Sequence, residues 1–128
     1  MNPVIAIVDD DEASREALGF LIKSLGFCGE AFASAAEFLG WERLPETGCL
    51  IADINMPGMT GVELHRHLVK TGRAIPTVLI TAYPDDSVRD RALADGVIAY
   101  LSKPCGESAL LACVHSALGT HNPDSHLL

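Results

Sequence analysis

The chain has 128 residues, 48% of them hydrophobic, and a formal net charge of −8 from nine Lys and Arg against 17 Asp and Glu. This length and apolar content suit one domain with a sizeable core and exclude a disordered chain. The lack of a basic surface argues against direct nucleic-acid binding, no apolar stretch approaches the ~20 residues of a membrane span, and no secretory signal is expected at the start.

Val4–Val8 is a run of five apolar residues, several β-branched, and reads as a buried strand. Asp11 caps the next helix, where Ala17, Leu18, Leu21, Ile22 and Leu25 fall at helical spacing before Gly26 ends the run. Phe27–Phe32 is a second strand, and Ser34 caps a short helix carrying Ala35, Phe38 and Leu39. After a loop over Pro45–Gly48, Cys49–Ala52 is a short strand leading to Asp53. Pro57-Gly58 and Gly61 make the following loop stiff in one place and permissive in another. The next helix carries Val62, Leu64, Leu68 and Val69 as its apolar positions. Gly72 and Pro76 bracket a turn, and Thr77–Ile80 is the fourth strand. Asp85 or Asp86 caps a helix through Ala94, stopped by Gly96. Val97–Leu101 is the fifth strand, and Gly106–Leu118 the last helix, with Leu110, Leu111, Val114 and Leu118 on one face. The alternation predicts an α/β fold: a (βα)5, doubly wound parallel five-stranded sheet with helices on both faces. The domain is expected to cover residues 1–120, with 121–128 a loose C-terminal tail and no room for a second domain.

The four cysteines show no C-x-x-C pair and no metal-ligand spacing, so they read as reduced, buried thiols of a cytoplasmic protein. The five histidines, His65, His67, His115, His121 and His126, share no ligand spacing with the carboxylates and read as surface residues.

Asp9-Asp10, Asp53, Thr81 and Lys103 each stand at the end of one of the apolar runs. In an open parallel sheet, functional groups gather outside the carboxyl ends of the strands. That geometry brings three carboxylates, a hydroxyl and an ammonium into one crevice, a set that suits a small hard cation and a phosphoryl group. Packed carboxylates raise one another's pKa unless a cation offsets them. Mg²⁺ does so with one or two carboxylates while keeping several waters, and Mn²⁺ is a substitute. Asp53 can act as a nucleophile, since an aspartyl carboxylate can take a phosphoryl group as an acyl phosphate.

The pieces Val8-Asp9-Asp10-Asp11, Asp53-Ile54-Asn55-Met56-Pro57-Gly58-Met59-Thr60-Gly61, Thr81-Ala82 and Lys103-Pro104, in this order, resemble the receiver domain of two-component response regulators. The resemblance covers roughly residues 3–119 and is closest to the FixJ-like group of the CheY-like superfamily, with its flavodoxin-like fold. It implies that Asp10 and Asp53 ligate Mg²⁺ by their side chains, Asn55 by its backbone carbonyl, and Asp9 mainly through a bound water. It also implies that Thr81 donates to the new phosphoryl oxygen and moves toward it. Lys103 would be aimed inward by a cis bond to Pro104, and Tyr100 would be the switch aromatic that turns inward on activation. Two features stand out against the family pattern. Cys105 stands where receivers usually carry Phe, which changes packing at the top of the last helix. In receivers the side chains at the places of Asn55 and Tyr83 flank the path of attacking water, so the bulk of Tyr83 is expected to slow hydrolysis.

The resemblance further implies a response regulator of a phosphorelay, not an enzyme in the ordinary sense, although it would catalyse its own phosphorylation and slow autodephosphorylation; with no room for an effector domain after residue 119, a single-domain form is expected. A sensor histidine kinase or a histidine phosphotransfer protein would be the donor, docking near Ser14, Arg15 and the loop after Lys103. Output would pass to an unidentified protein partner through Val88, Arg91, Asp95, Tyr100 and the outer side of Glu107–Leu118, with a homodimer through the same face as one outcome. The alternatives are a receiver fragment of a longer FixJ-like regulator and a phosphate sink. An aspartyl-phosphate phosphohydrolase is less consistent, because such enzymes carry a second Asp where this chain has Asn55. A pseudo-receiver is less consistent with the complete site.

Overall fold

Period-two alternation in the strands decides which layer each side chain joins. In the computed structural model, which describes residues 3–119, β1 (Val4–Val8), β2 (Cys28–Phe32), β3 (Thr47–Asp53), β4 (Thr77–Thr81) and β5 (Ala99–Ser102) form one sheet in the order β2-β1-β3-β4-β5. Every pairing is parallel. Ala6, Val8, Leu50, Ala52 and Leu79 face one layer, with α2 (Ala35–Leu39), α3 (Gly61–Lys70) and α4 (Asp86–Ala94) packed over them. Ile5, Ile7, Cys49, Ile51, Val78 and Ile80 face the other, covered by α1 (Glu12–Ser24) and α5 (Glu107–Gly119). Burying an Ile or Leu of this kind stabilises the fold by about 1.5–3 kcal/mol. The expected (βα)5 doubly wound sheet is thus the observed one. The expected tail, with His121 and His126, lies outside the described residues.

Helix ends set two of the strand boundaries. The Phe27 N–H donates to the Ile22 carbonyl and that of Val97 to the Ala92 carbonyl, so both groups close the preceding helix. The second and fifth strands therefore begin later than the apolar runs suggest, at Cys28 and Ala99. The expected loop before β3 is a 3-10 turn over Leu44–Glu46, and β3 already starts at Thr47. Asp85, not Asp86, caps α4, accepting from the Ser87 and Val88 N–H groups.

Three burial expectations are corrected. On α3 the buried positions are Gly61, Leu64, His65 and Leu68, an i, i+3, i+4, i+7 stripe. His65 therefore lies inward at 5% exposure, whereas Val69, expected inside, is 50% exposed. The four cysteines are free, but only Cys49 is fully buried; Cys105 and Cys113 are half-buried, and Cys28 is exposed on the edge strand β2. Burial, reinforced by Cys113, pushes the Cys49 thiol up to about 12.

Among the described residues, no helix is long and apolar enough to cross a membrane.

Candidate functional site

After β1 the chain leaves for β2 on one side and returns to β3 on the other, which opens a crevice beyond the carboxyl ends of β1 and β3. Asp9 and Asp10 follow β1, Asp53 closes β3, Thr81 closes β4 and Lys103 follows β5. Three further backbone bonds hold these strand ends at the rim. The Asp9 N–H donates to the Phe32 carbonyl (3.1 Å), that of Ile54 to Ile80 (2.9 Å) and that of Lys103 to Thr81 (2.8 Å). The Lys103–Pro104 bond is cis.

Asp9 and Asp10 part company although they are neighbours: Asp9 is fully buried and Asp10 is exposed. The ammonium of Lys103 lies between two buried carboxylates, donating to Asp9 Oδ2 at 3.0 Å and to Asp53 Oδ2 at 3.1 Å. One carboxylate oxygen from each of Asp9, Asp10 and Asp53 lies within 4.8 Å of the others. Three hard oxygen donors open to water through Asp10, with no nitrogen or sulfur among them, fit Mg²⁺.

The two buried carboxylates are tuned in opposite directions. Burial raises the Asp9 pKa, but Ser14, the Asp11 N–H and Lys103 together outweigh it and hold Asp9 below the usual aspartate range. Burial dominates at Asp53, and the nearby Asp9 charge adds to it, so its carboxyl is raised despite the Asn55 N–H and Lys103. Burial also works against the Lys103 ammonium, but Asp9 and Asp53 prevail and its pKa is raised.

The turn after β3 presents more than the carboxylate. The Asn55 N–H donates to Asp53 Oδ1 (3.0 Å), and Gly58, at φ 78°, takes the left-handed conformation that follows Pro57. Gly61 lets α3 start against Asp53: a Cβ there would lie 2.6 Å from the Asp53 carbonyl oxygen. Thr60 and Glu63 close a capping box around that helix start.

Thr81, 1% exposed, donates its hydroxyl proton to Asn55 Oδ1 at 2.7 Å and accepts from the Tyr83 N–H at 2.9 Å. Four residues beyond Thr81, the Asp85 N–H donates to the Tyr100 hydroxyl at 2.9 Å. All seven candidate positions, Asp9, Asp10, Asp53, Asn55, Thr81, Tyr100 and Lys103, therefore lie at this rim or one hydrogen-bonded loop from it.

Sequence reasoning missed the tether made by Arg15, whose Nη1 donates to the Asp9 carbonyl at 2.9 Å, and the support that Ser14 gives Asp9. The signal was present in helix phase, since residues three and four beyond the cap Asp11 point back over the preceding loop. The Asn55–Thr81 contact was missed as well, and it spans 26 residues.

A protein-family model described as the response regulator receiver domain matches residues 5–115. The response regulator protein TodT of Pseudomonas putida is 38% identical over 115 residues, covering 90% of this chain and 51% of TodT. The transcriptional regulatory protein FixJ of Azorhizobium caulinodans is 34% identical over 115 residues, covering 90% of this chain and 54% of FixJ. The chain thus spans about half the length of these curated relatives. Among solved structures, the response regulator StyR matches with a TM-score of 0.85 at 39% identity, covering 99% of this chain and 64% of that one. FixJ-N matches with a TM-score of 0.82 at 31% identity, covering 92% of this chain and 94% of that one.

Proposed function

The chain belongs to the response regulator receiver family, and on that footing we propose that it accepts a phosphoryl group on Asp53 from a sensor histidine kinase or a histidine phosphotransfer protein. An Asp53 carboxylate oxygen forms the new P–O bond. The P–N bond to the donor imidazole breaks, and the nitrogen keeps the electron pair and takes up a proton. Such a transfer needs positioning and neutralisation of charge more than covalent assistance. The Lys103 ammonium already touches Asp53 and can follow the charge from carboxylate to phosphoryl oxygen. Asp9, Asp10, Asp53 and the Asn55 carbonyl would hold Mg²⁺, Asp9 mainly through a water. When bound, the ion supplies further neutralisation of the phosphoryl oxygens.

The observation that carries this reading is the Lys103 ammonium bridging two buried carboxylates beside Asp10. An apolar groove of about 450 Å³ borders it, lined by Ser14, Ala17, Leu21, Pro104 and Cys105, and suits the docking of a donor helix. The rim continues from Thr81 through the Tyr83 and Asp85 N–H groups to Tyr100, which supports Thr81 and Tyr100 as the switch and the α4–β5–α5 face as the output. Autophosphorylation with small donors, slow autodephosphorylation and a cytoplasmic location belong to the same reading. So does a receiver surface that does not itself contact DNA, in keeping with the net charge of −8. Because the chain matches only about half the length of the curated relatives, the receiver part of a longer FixJ-like regulator stands beside the single-domain form. A phosphate sink remains the alternative output.

Incubation with Mg²⁺ and a small phosphodonor, followed by intact-mass measurement, tests the assignment. One phosphoryl adduct is expected, lost in Asp53→Asn and in excess EDTA. Full labelling of Asp53→Asn would remove Asp53 from its role, and rapid turnover of diverse phosphoesters would favour a hydrolase.

A further inference from the structure

A hydroxyl has one proton to donate, and Thr81 already donates it in a hydrogen bond to Asn55 Oδ1. Its oxygen meanwhile accepts from the Tyr83 N–H, so both sides of the group are engaged in the resting protein. A phosphoryl oxygen on Asp53 can receive that proton only if the bond to Asn55 breaks. Resting on the reading of Asp53 as phosphoryl acceptor, we infer that the Asn55 side chain is a positioning residue: it holds the Thr81 hydroxyl in its resting orientation and competes with the phosphoryl group for that proton.

The two partners differ in a way that gives the competition its sign. Thr81 is 1% exposed, so without Asn55 its hydroxyl proton would lack a protein acceptor in the resting state. Asn55 is exposed, and water can replace Thr81 at its amide once the bond opens. Truncating Asn55 therefore raises the free energy of the resting state and leaves the phosphoryl-bound state nearly unchanged. Phosphorylation would then meet less opposition. The same turn fixes both competitors, because the Asn55 N–H is tied to Asp53 Oδ1. The acceptor of the phosphoryl group and the group that restrains Thr81 thus sit two residues apart on one rigid corner, and the restraint is released where the charge arrives. Asn55 acts here through Thr81 and not on the phosphoryl group itself.

Beryllium fluoride with saturating Mg²⁺ mimics the phosphoryl group without forming a bond that water can hydrolyse, so binding affinity reads the switch apart from adduct lifetime. Calorimetric titration of wild type, Asn55→Ala, Thr81→Ala and the double variant forms a double-mutant cycle. Asn55→Ala should bind the mimic more tightly by about fivefold, the size of one ordinary net hydrogen bond. In the Thr81→Ala background the same substitution should change nothing. In EDTA, with no mimic present, Asn55→Ala should also speed amide exchange at Tyr83, whose acceptor is no longer held in place. Equal mimic binding by wild type and Asn55→Ala would overturn the inference while leaving Asp53 as acceptor. A tightening that persists without the Thr81 hydroxyl would overturn it too, because Asn55 would then act by another route. Failure of the wild type to bind the mimic would overturn both this inference and the phosphoacceptor reading.

Discussion

Replacing Lys103 with Met keeps most of the side-chain stem and removes only the ammonium that joins Asp9 to Asp53. Both contacts are short, at 3.0 and 3.1 Å, and the side chains they satisfy are 0% and 6% exposed. Removing one partner from a buried ion pair generally costs about 3–5 kcal/mol, since the other charge stays buried and unpaired. The Lys103 side chain is itself 20% exposed and Asp10 opens the site to water, so a loss of about 2–3 kcal/mol at pH 7 in EDTA is expected. The raised Lys103 pKa means its contribution is fully present at neutral pH and fades only as pH climbs through that raised value. Asp53 carries the opposite sign. Its carboxyl is raised first by burial and then by Asp9, so its ionisation costs stability as pH rises from 3.8 through the folded value. Without the ammonium that cost grows, and acidification toward pH 5 should narrow the gap between variant and wild type. Mg²⁺ should narrow it also, because the variant, whose carboxylates have lost the ammonium, gains more from the cation: at saturation each tenfold by which it binds Mg²⁺ more tightly than wild type closes about 1.4 kcal/mol of the gap. Urea denaturation at pH 5 and pH 7, with EDTA or Mg²⁺, measures each term. A Lys103→Met protein as stable as wild type at pH 7 in EDTA would refute the reasoning, because the ammonium would then not be offsetting the buried carboxylates.

Gly61→Ala should destabilise the protein by roughly 1–3 kcal/mol and slow phosphodonor labelling, because the new Cβ meets the Asp53 carbonyl oxygen at 2.6 Å and Leu79 Cδ2 at 3.1 Å. Thermal unfolding and adduct formation by intact mass read the two effects. His65 has its pKa lowered, first by burial, with the Arg66 charge adding and Asp95 opposing. Its contribution is therefore present above the ordinary value of 6.5 and lost as pH falls through the lower folded value, so stability should drop on acidification below 6.5 and drop less in His65→Gln. Tyr100→Phe removes the acceptor of the Asp85 N–H, which should cost about 0.5–1 kcal/mol and speed amide exchange at Asp85 while leaving Asp53 labelling intact.

The strands and the crevice were legible in the sequence because their signals are local. An apolar run such as Val4–Val8 or Thr77–Ile80 states its own buried strand, and the residue after it must emerge at the carboxyl edge. Placing Asp9, Asp10, Asp53, Thr81 and Lys103 in one crevice needed only that rule and the α/β alternation. The order β2-β1-β3-β4-β5 is not written in the periodicity and is seen only in the folded sheet.

What the tertiary structure alone decided depends on groups far apart in the chain. Asp9 is buried and Asp10 exposed because the ammonium that satisfies Asp9 comes from Lys103, 94 residues later. His65 is buried and Val69 exposed because the phase of α3 is set by its packing on the sheet, and the polarity of the side chains did not reveal it. The Asn55–Thr81 bond exists because the turns after β3 and β4 meet at the rim, although neither segment names the other. Local pattern fixes direction and period, whereas the partner of a buried polar group is set by the closing of the sheet, which brings distant strand ends within hydrogen-bond reach.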